Sequence, residues 1–233
     1  MKFHRANQVI DKKKLNAQLS MLSASQRIAW AADYFKDGLF ALTSAGVDSA
    51  LMLEHLSKDS HDISVIHINT GFLHKETLAF RESLQNKYGF RLLEFGPSQE
   101  QINELKKTKL WETDLQKYSK ITKLDPLSKA IKELEVSALL TAVRSDQTKN
   151  RAKLNYLDVG NSGEIRVHPF LDWTKPQVEA YFDENNLPRH PLYDKGFESV
   201  ADEITTTAGR NRSGRAAIEC GLHVQNGRLV RQN

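Results

Sequence analysis

The sequence predicts an α/β fold, a parallel twisted sheet flanked by helices. Three observations carry this. Short apolar runs alternate with stretches of helical spacing from residue 38 onward, and strands separated by helices pair in parallel through crossovers. A turn rich in Ser, Gly and Asp follows the first apolar run, where such folds bind ligands. No apolar run approaches the ~20 residues of a membrane helix.

The elements follow in order. Residues 15–35, LNAQLSMLSASQRIAWAADYF, space Leu, Ile, Ala and Trp as a helix, and Gly38 breaks it. GLFALTS is a short buried strand. After a loop, DSALMLEHLS is a helix. ISVIHIN at 63–69 is the second strand. HKETLAFRESLQNKYG is a helix closed by Gly89, and RLLEF is the third strand. The polar stretch 97–125 carries no defined element. DPLSKAIKELE at 125–135 begins a helix, with Asp125 as cap and Pro126 in its first turn. VSALLTAV at 136–143 and EIRVHPFLDW at 164–173 complete the sheet. TKPQVEAYFDENNLP is a helix with a Thr cap, and from Gly196 periodicity fades. The partition is an N-terminal helical segment (1–37), an α/β domain (38–195) and a C-terminal tail (196–233).

The 233 residues are 39% hydrophobic and 27% charged, an ordinary globular composition. MKFHRANQVIDKKKLN is basic without the apolar core of a secretory signal. With one cysteine in the chain, the expected location is a reducing cytoplasm. The net charge of +4 is mild, but its distribution is not. The tail from Gly209 carries five arginines, no lysine and one acid, Glu219, which points to an anionic partner. Nucleic acid is not expected, because that tail has no aromatic residue to stack on bases.

TSAGVDS at 43–49 lies between the first strand and its helix. Backbone N–H groups of such a turn can point at an anion, aided by the positive end of the helix. Gly46 permits close approach, and Asp48 and Ser49 can cap the helix. A plain helix cap is the simpler alternative. There is no lysine in the turn, so it is not the GxxxxGK[ST] loop. Asn69, Thr70 and Gly71 end the second strand and border the same crevice. Arg144, Gln147 and Arg151 follow the fourth strand, and guanidinium forks match sulfate or phosphate oxygens. Cys220, in IECGLH, cannot form an internal disulfide or a cysteine-held iron–sulfur cluster.

SAGVDS resembles the SGGxDS pyrophosphate loop of the adenine-nucleotide alpha-hydrolase-like (PP-loop) superfamily, with Ala45 where Gly is usual. TAVRSDQTKNRA, VHPFLDWT, LPRHPLYDKGFESV and ECGLH resemble elements of phosphoadenylyl-sulfate (PAPS) reductases. Together they span roughly residues 38 to 223. ADEITTT at 201–207 departs from the family's GDxHTT. The resemblance implies a nucleotide-binding domain that holds PAPS through Ser44, Ala45, Gly46, Asp48, Ser49, Thr70 and Gly71. It further implies substrate contacts from Arg144, Gln147, Arg151, Arg210, Arg212, Arg215 and His223, the sulfate held by the loop Ser44–Ser49 and by arginines, and Cys220 as nucleophile on a mobile tail. Lys129, Lys149 and Arg166 are candidates for the 3′-phosphate. The implied reaction releases sulfite and adenosine 3′,5′-bisphosphate in sulfate assimilation, with reduced thioredoxin or glutaredoxin as donor, no bound cofactor and a homodimeric enzyme. Alternatives are a cluster-free adenylyl-sulfate reductase, an ATP pyrophosphatase of the superfamily, or a non-catalytic nucleotide-binding relative.

Overall fold

The computed structural model describes residues 2–5, 8–58, 62–160, 162–209, 217–219 and 230–231. The N-terminal segment opens with strands β1 (Lys2–Arg5) and β2 (Gln8–Asp11), paired antiparallel ahead of its helices. The helix expected over 15–35 is two helices, α1 (Lys12–Ser20) and α2 (Ala24–Phe35). The break is local chemistry. Ser23 accepts from Gln26 N–H while Gln26 reaches back to Ser23 N–H, a capping box that starts a new helix.

The chain then alternates β3 (Leu39–Thr43), α3 (Ser49–Lys58), β4 (Val65–Ile68), α4 (Lys75–Tyr88) and β5 (Leu92–Phe95). Gly89 closes α4 in the left-handed conformation. The stretch left undefined by the sequence is helical: α5 (Gln99–Thr108), α6 (Leu110–Thr113) and α7 (Leu115–Ser119). A π-helical segment, Lys120–Leu124, joins α7 to α8 (Asp125–Glu133). Asp125 therefore lies within a continued helix and is not a cap. Its carboxylate instead pairs with Lys120 at 2.6 Å across the π turn.

Strands β6 (Ala138–Thr141), β7 (Leu157–Val159) and β8 (Ile165–Val167) follow, then α9 (Lys175–Glu184). In the tail, β9 (Ala217–Glu219) pairs antiparallel with β10 (Val230–Arg231). The main sheet has the order β5-β4-β3-β6-β8-β7. Its strands are parallel except β7, which runs antiparallel to β8 at the edge. The sequence reading missed β7, whose three residues are too few to show a period. The edge of β7 is covered from α1: Asn16 accepts from Leu157 N–H at 2.8 Å and donates to Leu157 C=O at 3.0 Å.

Both faces of the sheet are buried, as parallel strands require. Leu39, Ala41, Val65, Ala138 and Leu140 pack with Ile28, Leu51, Phe80 and Phe182 on one side. Phe40, Ile66, Ile68 and Leu139 pack under Leu127 and Ala130 of α8 on the other. The first helices are thus a layer over the sheet. Arg27 of α2 is 1% exposed and ties that layer to the loop after β8. It donates to Leu19 C=O, to Pro169 C=O at 2.7 Å, and to both oxygens of Asp172. Burial alone would raise the Asp172 carboxyl; Arg27 outweighs it and holds it below the usual carboxylate range.

Arg27→Met should lower unfolding free energy by about 3 kcal/mol, because two carbonyls and a carboxylate lose their donor. Urea denaturation measures this.

Candidate functional site

After β3 the chain passes to β4 and β5 on one side, then crosses to β6 on the other. This reversal of strand order leaves a crevice at the carboxyl ends of β3 and β6. A cleft lies there, and the turn after β3 lines it with Ser44, Gly46, Asp48 and Ser49. Ser49 N–H donates to Gly46 C=O at 3.0 Å, so the turn feeds directly into α3. Ala45 is not in the lining; it is fully buried, with φ at 49°. This is the left-handed region, costly for any residue with a Cβ. The conformation is held by Ala45 N–H donating to Thr43 Oγ1 at 3.1 Å.

The loop after β6 supplies Arg144, Gln147 and Arg151 to the same cleft. Both arginines are 5% exposed. Arg144 Nη1 donates to Asp48 Oδ2 at 2.6 Å and its Nε to Asp146 Oδ1 at 3.0 Å. Asp48, expected as a helix cap, thus meets a guanidinium across the cleft. Gln147 Oε1 accepts from Arg144 N–H and from Arg151. The loop is braced from below: Ser145 N–H donates to Leu171 C=O, and Lys175 N–H to Asp146 Oδ2.

The far wall was not foreseen. Asp202 lines the cleft but is 0% exposed. It accepts from Thr70 Oγ1 at 2.6 Å, Tyr118 Oη at 2.9 Å and Lys123 Nζ at 2.6 Å. Burial alone would raise its carboxyl; Lys123 and the two hydroxyls overcome that and hold it low. Burial, with the Asp202 charge beside it, pushes the Tyr118 phenol well up, so it stays a donor. Lys123 also lines the cleft, presented by the π segment. A π turn inserts one residue and commonly marks a functional site. Lys175, paired with Glu198 at 2.6 Å, and Glu179, bonded to Tyr193 Oη at 3.1 Å, line the cleft from α9. In the sequence Lys123 is separated from Asp125-Pro126 by Leu124, and Asp202 from Ser199-Val200 by Ala201. Neither stands out by charge pattern.

Several expected residues lie elsewhere. Gly71 is outside the lining; its φ is +79° and an added Cβ would meet Ile102 at 2.5 Å, so it serves the turn. Asn69 Oδ1 accepts from Gly71 N–H. Arg166 lies buried on β8, paired with Glu164 at 2.5 Å. Lys129 is an exposed residue of α8 near Glu133, and Lys149 is exposed. None of these three lines the cleft. Cys220, Arg210, Arg212, Arg215 and His223 lie outside the described residues.

Three buried histidines underlie cleft threonines. His67 Nδ1 donates to Thr43 C=O at 3.2 Å. His168 Nδ1 meets Thr141 Oγ1 at 2.6 Å, and His190 Nε2 meets Thr77 Oγ1 at 3.0 Å. Burial pushes them down to about 4, about 3 and about 4 respectively. At neutral pH these three rings are therefore polar but uncharged.

A family model, "Phosphoadenosine phosphosulfate reductase domain", matches residues 38–208. A phosphoadenosine 5′-phosphosulfate reductase of Vibrio parahaemolyticus is 34% identical over 235 residues, covering 96% of this chain and 90% of that protein. One from Buchnera aphidicola is 35% identical over 221 residues, covering 90% of each. The crystal structure of phosphoadenylyl-sulfate (PAPS) reductase from Candida auris, a phosphate complex, superposes with a TM-score of 0.76 at 28% identity. It covers 89% of this chain and 100% of that one. Candida glabrata FMN adenylyltransferase, with FMN and an ATP analogue, shares the fold at a TM-score of 0.60 and 15% identity, covering 83% and 65%.

Two outcomes follow from the geometry. Ala45→Gly should raise unfolding free energy by about 0.5–1 kcal/mol, the left-handed penalty removed less the entropy of glycine. An unchanged urea midpoint would show that the turn carries no strain. Stability should also fall as pH drops from 6.5, the ordinary histidine value, toward about 4. In that window the unfolded chain binds protons that the buried rings refuse. His190→Gln should flatten the slope by about 1.4 kcal/mol per pH unit, one proton's share. Urea midpoints at pH 7 and pH 5 measure it.

Proposed function

The chain belongs to the phosphoadenosine phosphosulfate reductase family, and on that premise we propose that it reduces 3′-phosphoadenylyl sulfate to sulfite. The observation that carries the reading is one cleft in which the turn 44–49 faces the buried pair Arg144 and Arg151. An anion enters there at the start of α3, with guanidinium forks opposite.

The proposed chemistry has two transfers. A Cys220 thiolate attacks the sulfate sulfur, and the bond from that sulfur to the phosphate oxygen breaks. Adenosine 3′,5′-bisphosphate leaves, and the cysteine carries an S-sulfo group. A thiolate of reduced thioredoxin or glutaredoxin then attacks Cys220 Sγ, sulfite departs, and a second thiol of the donor closes its disulfide. The partner is needed because the chain holds one cysteine. The arginines counter the repulsion between thiolate and polyanion and take up charge forming on the leaving phosphate. Arg210, Arg212, Arg215 and His223 are assigned to the same anion from the tail. In this reading residues 38–195 bind nucleotide, while 196–233 carry the nucleophile. That Glu198, Ser199 and Asp202 line the cleft supports placing the tail's root in the site. A homodimer, a cytoplasmic location and the absence of a bound cofactor complete the proposal. Among the described residues, no helix is long and apolar enough to cross a membrane.

Sulfite release from PAPS with reduced thioredoxin tests the reading. Cys220→Ser should abolish it, and wild type treated with PAPS alone should gain one sulfo group in intact mass. Equal rates for wild type and Cys220→Ser would overturn the nucleophile. Arg144→Lys should lower kcat/KM by at least about tenfold, since an ammonium cannot reproduce the fork.

A further inference from the structure

Thr77, in the first turn of α4, lines the cleft, and His190 behind it does not. The roles within this pair are fixed by a third group. Leu192 N–H donates to His190 Nδ1 at 3.1 Å. Nδ1 is thus an acceptor, and a neutral ring must carry its proton on Nε2. Nε2 lies 3.0 Å from Thr77 Oγ1, so the ring donates and the hydroxyl oxygen accepts. Burial, with His74 beside the ring, holds His190 down to about 4 and keeps this tautomer at neutral pH. The hydroxyl proton of Thr77 has no acceptor among the described residues. It is a donor on a side chain only 1% exposed, with nothing among the described residues to donate to.

The neighbours in the lining indicate what would accept. Leu42 of β3, Met52 of α3, Ile68 of β4 and Leu73 are apolar lining residues from the elements on this side of β3, and the cation there, Lys123, is already paired with Asp202. The arginines enter from the loop after β6, on the other side of β3. An acceptor among apolar side chains is a neutral one, and a heteroaromatic ring nitrogen fits both the chemistry and the flat space. The ring nitrogens N1, N3 and N7 of adenine all accept, whereas N1 of guanine carries a hydrogen.

We propose that Thr77 is a specificity-determining residue: its hydroxyl, held from behind by His190, donates to a ring nitrogen of the adenine base. This rests on the nucleotide reading above. His190 acts through Thr77 as a positioning residue.

Calorimetry with adenosine 3′,5′-bisphosphate and its 1-deaza, 3-deaza and 7-deaza analogues tests it on the full chain. Thr77→Val should weaken binding of the parent nucleotide by about tenfold, and Thr77→Ser by less than about threefold. One deaza analogue should lose the same factor on wild type and no more on Thr77→Val, the signature of a shared contact. His190→Gln, which keeps an N–H in place, should bind within about threefold of wild type, whereas His190→Leu should weaken binding further. Thr77→Ser also serves as the control for folding, since it retains the hydroxyl. If Thr77→Val binds within about twofold of wild type, or no deaza analogue closes the gap, the assignment of Thr77 is overturned. If wild type itself fails to bind adenosine 3′,5′-bisphosphate, the nucleotide reading falls, and this inference with it.

Discussion

One carboxylate out of reach of water organises this molecule. Asp202 gathers three elements that the chain delivers separately: the loop after β4 through Thr70, the end of α7 through Tyr118, and the π segment through Lys123. The backbone follows the side chain, with Glu203 N–H donating to Phe72 C=O at 2.8 Å. A buried charge is tolerated only when ion pair and hydrogen bonds together offset its lost hydration, which is why all three partners are needed. The segment beyond α9 has little periodicity of its own. It is fixed to the cleft by this cluster, by Glu198 paired with Lys175 and His190 with Thr77, and by the isolated pairings around Leu73 and Gly209.

The cleft is therefore charged but internally balanced. Arg144 is shared between Asp48 and Asp146, Lys123 faces Asp202, and Lys175 faces Glu198. An entering anion competes with carboxylates for each of these cations. A ligand with one charge gains little from that exchange. One with several negative groups gains on more than one pair at once, and the neutral histidines beneath do not alter the balance. On the proposed function, a preference for polyanions would come from partners already in place as much as from the cations themselves.

The alternation of strands and helices was legible because each strand is a short apolar run bounded by turn residues, and each helix has an apolar face. The turn 43–49 was legible for the same reason, since it falls at a strand end. Arg144 and Arg151 were legible as a cluster. What escaped was what long-range contacts decide. β7 exists because α1 offers Asn16 to its open edge, a partnership 141 residues apart. Arg27 carries no local signal of burial, and only its partners, two carbonyls and Asp172, make it a core residue. Lys123 and Asp202 are 79 residues apart, and no local pattern joins them. Gly71 reads as a ligand contact, but the neighbouring Ile102 explains it.

The π segment Lys120–Leu124 lies on a polar stretch that would pass for a tolerant connector. It is not one. Removing a single residue there would let α7 run straight into α8 as regular α-helix, with better backbone geometry throughout. Everything before the cut would then turn by about 100° relative to the helix beyond it. Tyr118 would rotate away from Asp202 while Lys123 stayed. The helix would improve and the site would be lost. Apart from Lys123 and the buried Thr122, the length of this segment is therefore under tighter constraint than its composition, and substitutions at exposed Lys120 should be accepted where deletions are not.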